Sequence, residues 1–200
     1  MVIDPGKPAA DAKDMLRQGL LLRRRARSTA QRAAAADAVA AALLGGLRGV
    51  GTLAAFVPDP FEPGSGRLPA AYVELGARVL LPVIPTEGRV LDWAVHTGRL
   101  ERGRFGLSQP PGPRLGSTAI AEADAVVVPA LAVDRFGTRL GRGGGYYDRA
   151  LVHARPDAVL VTVVFDDEGL DPLPREVHDQ PVTAVVTPSG GWEELAQRDR

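Results

Sequence analysis

The chain has 200 residues and no cysteine, and its 24 basic side chains are matched by 24 acidic ones, so the formal net charge is zero. That length suits one domain with a sizeable core. The absence of cysteine excludes disulfides, thiolate metal sites and a cysteine nucleophile, and the charge balance argues against a general binder of nucleic acid or membrane surfaces.

Residues 1–10 contain Pro5, Gly6 and Pro8 and are expected to form a disordered lead-in, with a single domain over 11–200. From Asp11 to about Arg27, Leu16 and Leu20 with Met15 and Leu22 give a helical stripe. Arg17 and the run Arg23-Arg24-Arg25 interrupt these leucines, and no stretch approaches the roughly 18 apolar residues of a membrane span. A cytoplasmic protein is therefore expected. The four residues Ser28 to Gln31 form a capping-box pattern that opens an alanine-rich second helix ending at Gly45-Gly46.

Beyond that point short apolar runs alternate with helix-like stretches, which is the α/β pattern with a largely parallel sheet. Strands are expected at 52–57, 78–83, 89–95, 125–129, 159–165 and 184–187, and helices at 67–75 and 146–153. Residues 98–113, rich in glycine and proline, should be a long irregular segment, and such segments usually serve a site or an edge.

The most informative run is Arg139, Leu140, Gly141, Arg142, Gly143, Gly144, Gly145, Tyr146, Tyr147 and Asp148. Three successive glycines bring nothing to bury and lose much backbone entropy, so they make sense where backbone must approach a ligand closely. Loop N–H groups can converge on phosphate oxygens, and a helix starting at the loop's end adds the positive end of its dipole. Arg139 and Arg142 would neutralise charge, and Asp148 is placed to hold a magnesium ion. The string is neither a Walker A loop nor a dinucleotide fingerprint. Lys13 and Arg17, four apart on the first helix, put like charges on one face; by spacing alone this reads as a solvated basic face. Asp179 and Glu62 read by default as a turn residue and a loop carboxylate. With three histidines and no zinc-binding string, zinc is not expected.

The stretch from Val128 to Arg149 resembles the signature of the 5-formyltetrahydrofolate cyclo-ligase family, also called 5,10-methenyltetrahydrofolate synthetase. The likeness extends to Lys13 through Arg17, to Glu62, to the segment from Phe105 to Pro110, and to His178-Asp179. It implies a three-layer α/β/α sandwich with a largely parallel central sheet. It also implies an enzyme that uses ATP and Mg²⁺ to convert 5-formyltetrahydrofolate to 5,10-methenyltetrahydrofolate. ATP would meet Lys13, Arg17 and the loop from Arg139 to Tyr147. The reduced folate would meet Val57, Glu62, Tyr146 and Tyr147, with Glu62 on the pterin ring. Asp148 and Asp179 would hold the metal, and Arg142 and Asp148 would be the catalytic pair. The expected partner is this small-molecule substrate alone, with no nucleic acid or membrane, on a monomer. A non-catalytic folate or nucleotide-binding paralogue is the alternative, and a sugar-phosphate isomerase or acyl-transfer enzyme on a related fold is a third reading.

Overall fold

A computed structural model describes residues 7–175 and 179–196. Two helices lead, α1 (Lys7–Ala26) and α2 (Thr29–Gly46). The first begins at Lys7, a turn ahead of the expected start near Asp11. Pro8 is tolerated there because a first-turn N–H has no intrahelical acceptor. The earlier part of the expected lead-in lies outside the described residues. At α2 the box forms as read: Gln31 N–H donates to Ser28 Oγ at 3.2 Å, and Ser28 N–H donates to Gln31 Oε1 at 2.8 Å.

The sheet then builds from β1 (Thr52–Ala54), β2 (Arg78–Val83), β3 (Asp92–Val95), and a side hairpin of β4 (Glu101–Arg102) and β5 (Ser108–Gln109). It continues with β6 (Ala125–Pro129), a second hairpin of β7 (Ala132–Val133) and β8 (Arg139–Leu140), β9 (Val159–Val163), β10 (Ala184–Thr187) and β11 (Gly191–Glu194). Helices α3 (Leu68–Glu74) and α4 (Tyr146–Leu151) complete the set, with a 3₁₀ turn at Ser117–Glu122. The main sheet runs β11-β10-β9-β6-β1-β2-β3. Five central strands are parallel, while β3 and β11 close the two edges antiparallel.

Period-two alternation divides the core. Leu53, Val79, Leu81, Val127, Val161 and Val186 face α2 and α3, where Val39, Leu43, Leu68 and Tyr72 meet them. Ala54, Leu80, Val126, Val128 and Val185 face the opposite side and pack on Ile120 and on Ala150 and Leu151 of α4. Each fully buried leucine or valine contributes about 1.5–3 kcal/mol, so the two faces fix the register of every central strand. These are the three layers that the family resemblance implies.

A third, smaller cluster ties α1 to the second hairpin: Leu20 packs with Leu131, Ala132, Leu140 and Leu173. Met15 and Leu22, assigned to the apolar stripe, are exposed. The face that α1 turns inward is instead Lys13, Leu16, Arg17, Leu20 and Arg24, a 3–4 spacing in which cations occupy positions a hydrophobic count skips. Strand β1 is shorter than 52–57 and ends at Ala54, although Ala55 N–H still reaches Leu80 O at 2.9 Å. Strand β11 was not expected.

Candidate active site

Parallel strands place their carboxyl ends on one rim of the sheet, and crevices beyond that rim are where open α/β folds bind ligands. Here β1, β2 and β6 deliver Phe56, Val57, Pro82, Ile84, Pro129 and Ala130 to a cleft of about 500 Å³. The glycine loop, following β8, forms another wall, and Lys13 and Arg17 of α1 a third. The irregular segment 98–113 also serves the site, through Arg104, Phe105, Leu107, Ser108 and Gln109. Phe105 sits at its tip with φ 56 and is largely exposed. Every residue singled out from the sequence for a ligand or metal lines this one cleft: Lys13, Arg17, Val57, Glu62, the whole of Arg139 to Asp148, and Asp179. His178 lies outside the described residues.

The loop needs its glycines for stated reasons. Gly143 and Gly145 have φ of 89 and 66, in the left-handed region that side chains disfavour. Arg17 lies against the loop, with its Nε donating to the Gly141 carbonyl at 3.0 Å, and a Cβ on Gly143 would stand 3.4 Å from its guanidinium carbon. Gly145 caps α4, which has only 6 residues. The expected dipole contribution is therefore small, and the positive field at the loop comes chiefly from Arg17, Arg139 and Arg142.

Three of the cations, Arg139, Lys13 and Arg142, have acidic partners within the cleft. Arg139 donates to Asp148 at 2.6 Å and to the Gln180 carbonyl at 3.3 Å. Burial pulls its guanidinium below the usual arginine range, opposed by Asp148 and Asp179. Lys13 Nζ lies 3.2 Å from Asp179. Arg142 pairs with Asp59 and, at 3.1 Å, with Glu62 Oε1. Among the described residues no group of three histidine, cysteine or acidic side chains is gathered as a metal cage. Asp148 and Asp179, both acting on Arg139, are a sparse pair, and magnesium takes such a pair because it completes its shell with water and phosphate oxygens.

Glu62 is carried into the cleft by the run of turns from Pro58 to Arg67, which the prolines and glycines of that segment impose. Its Oε2 accepts the Asp59 N–H at 3.0 Å. Burial, and after it the neighbouring Asp59 charge, pushes its carboxyl above the ordinary value of 4.5, with Arg142 and Arg24 pulling the other way. Tyr72 is buried and Tyr147 partly buried beside it, and burial raises both phenols; neither hydroxyl has a hydrogen-bond partner among the described residues.

Three participants escaped the sequence reading. Asp59 orders the Glu62 turn and holds Arg142. Arg24 is fully buried and pairs with the equally buried Glu168. Arg24 follows Arg17 and Leu20 at helical spacing, a signal masked by the arginines on either side of it.

Comparison with known proteins bears on the whole chain. Residues 9–188 match the model of the 5-formyltetrahydrofolate cyclo-ligase family. The chain is 47% identical over 186 residues to the 5-formyltetrahydrofolate cyclo-ligase of Mycolicibacterium smegmatis, covering 90% of this chain and 95% of that protein. It is 32% identical over 146 residues to the enzyme of the same name from Escherichia coli K12, covering 71% and 80%. The solution structure of Aquifex aeolicus 5,10-methenyltetrahydrofolate synthetase superposes with a TM-score of 0.76 at 27% identity, covering 94% and 95% of the two chains. The 5,10-methenyltetrahydrofolate synthetase structure from Mycoplasma pneumoniae, at 18% identity and a TM-score of 0.69, shares the fold. With family model, near-complete relatives and the α/β/α architecture in agreement, this chain belongs to the 5-formyltetrahydrofolate cyclo-ligase family.

Proposed function

We propose that this chain closes 5-formyltetrahydrofolate to 5,10-methenyltetrahydrofolate at the expense of ATP, with Mg²⁺ as cofactor. The observation that carries the reading is a single cleft in which an arginine-bearing glycine loop faces a buried carboxylate. One wall suits a polyphosphate and the other suits the adjacent N–H donors of a pterin.

The chemical obstacle is that a formamide oxygen leaves poorly. Transfer of the γ-phosphoryl group of ATP to that oxygen turns it into a phosphate ester; N10 then attacks the formyl carbon, phosphate departs, and the N10 proton is released. Phosphoryl transfer is mainly a matter of position and charge. Arg139, Arg142, Lys13 and Arg17 supply the cations, and Gly141 to Gly145 line the same space. Asp148 and Asp179 are the residues that hold the metal, whose chemistry when bound is to neutralise phosphate charge. Glu62 accepts from the pterin ring, and Val57, Tyr146 and Tyr147 form its apolar and aromatic wall.

No helix among the described residues is long and apolar enough to cross a membrane. A cytoplasmic location, supported by the absence of cysteine, and a monomer, the default for a single small domain, complete the reading. The test is near-ultraviolet absorbance on mixing the protein with 5-formyltetrahydrofolate, Mg²⁺ and ATP. The methenyl chromophore grows only when ATP is present. Ligand binding without product in folded protein would instead leave a sensor.

A further inference from the structure

Arg24 is fully buried on α1, two turns beyond Arg17. Its Nε and Nη2 donate to the two oxygens of Glu168, each at 2.8 Å, and Nη2 also donates to the Ala130 carbonyl at 2.7 Å. A planar guanidinium held at both ends of its fork cannot turn. The remaining nitrogen, Nη1, is sealed from solvent and has no hydrogen-bond partner among the described residues. It lies 3.9 Å from Glu62 Oε1. A buried donor left unmade is costly, and here it is aimed at the carboxylate assigned to the substrate.

The charged and titratable groups facing Glu62 are Asp59 on its own segment, Arg142 and Tyr147 from the loop side, Tyr72 of α3, and Arg24. Arg142 is half-exposed and sits between glycines. A ligand N–H that takes Glu62 Oε1 competes with Arg142 directly, whereas Arg24 stays where Glu168 holds it.

We infer that Arg24 is a positioning residue for the folate: clamped by Glu168, it is the fixed cation that keeps the Glu62 carboxylate ionised and oriented when the substrate displaces Arg142. The inference rests on the pterin role proposed above for Glu62. It divides two arginines that touch one carboxylate into a permanent counter-charge and an exchangeable one.

The experiment begins with wild-type turnover. If folded wild-type protein makes no methenyl product, the cyclo-ligase reading fails and this inference with it. Given turnover, Arg24→Met with Glu168→Gln removes the buried charge pair together, so the core keeps no unpaired ion. The Michaelis constant for 5-formyltetrahydrofolate rises about tenfold or more while that for ATP moves less than about twofold, and the acid limb of kcat/KM for the folate moves to higher pH. Arg24→Lys, which keeps a cation, recovers most of the loss. A separate arm leaves Arg24 untouched and reports even if those variants do not fold. In Arg142→Met, binding of 5-formyltetrahydrofolate without ATP stays within about threefold of wild type, while the constant for ATP rises. The inference is overturned if the folded double variant binds folate normally, if both Michaelis constants rise together, or if Arg142→Met weakens folate as much as Glu62→Gln does.

Discussion

Replacing Glu168 by alanine isolates the energetics of the buried pair. The side chain is 1% exposed and its partner Arg24 fully buried, so neither charge has water to fall back on. Two charge-assisted bonds at 2.8 Å vanish, and so does the acceptor for the Phe165 N–H, also at 2.8 Å. Arg24 keeps the Ala130 carbonyl and a carboxylate at 3.9 Å, which compensates only partly. Removing one member of a buried ion pair costs about 3–5 kcal/mol. In a domain of this size each kcal/mol is worth roughly 2–4 °C, so the melting temperature should drop by roughly 6–20 °C. Equilibrium urea unfolding, followed by circular dichroism with the m-value checked for constancy, measures the loss. The double variant Arg24→Met with Glu168→Gln should be less damaged than Glu168→Ala alone, because no unpaired ion remains. A loss below about 1 kcal/mol for Glu168→Ala would mean that water or a rearranged Glu62 satisfies Arg24, and the locked geometry would then be wrong.

Glu62→Gln should lower kcat/KM for 5-formyltetrahydrofolate by about 10- to 100-fold with little change in the ATP constant, as expected for a lost charge-assisted contact. Because burial raises the Glu62 carboxyl, wild-type kcat/KM for the folate should fall on the acid side at a pH above the ordinary 4.5 of a glutamate, and that limb should disappear in the glutamine variant. Asp148→Ala should raise the Mg²⁺ concentration needed for half-maximal turnover by about tenfold or more, measured by titrating metal into EDTA-stripped protein; an unchanged requirement would remove Asp148 from the metal site. Gly137→Ala should destabilise by about 1–3 kcal/mol or more, since φ is 79 and the new Cβ would stand 2.0 Å from the Val182 carbonyl oxygen; an unshifted unfolding midpoint would show that this turn can move aside.

Much of the sheet was legible because burial on both faces leaves an unbroken apolar run. Strands β2, β6 and β10 match the expected bounds, and Val126 to Val128 admits no other role. Strand β11 was illegible for the opposite reason. It is an edge strand whose Glu193 and Glu194 remain exposed, so only Trp192 against the α2 side marks it. The cleft was legible where function forces odd chemistry, as in the glycines and arginines between Arg139 and Asp148. Arg24, Asp59 and Glu168 were not. Their types are common on surfaces, and only their partners, three to 144 residues away in sequence, set them apart. The stripe of α1 was misjudged at Met15 and Leu22 because a helix that lines a cleft buries cations along with leucines.

The order of the strands sets a timetable for biosynthesis. Strand β1 has its neighbours β2 and β6 on either side, and β9, β10 and β11 then join outward in the order in which they are translated. Each new strand meets an edge that already exists. Helix α1, translated first, has no such template: Leu20 waits for Leu131, Leu140 and Leu173, Arg17 for Gly141, and Arg24 for Glu168. Its closure spans most of the chain and must come late. A ribosome-bound chain arrested before residue 168 can thus assemble the β1–β6 centre of the sheet while α1 still lacks Glu168, Leu173 and Asp179, the partners of Arg24, Leu20 and Lys13.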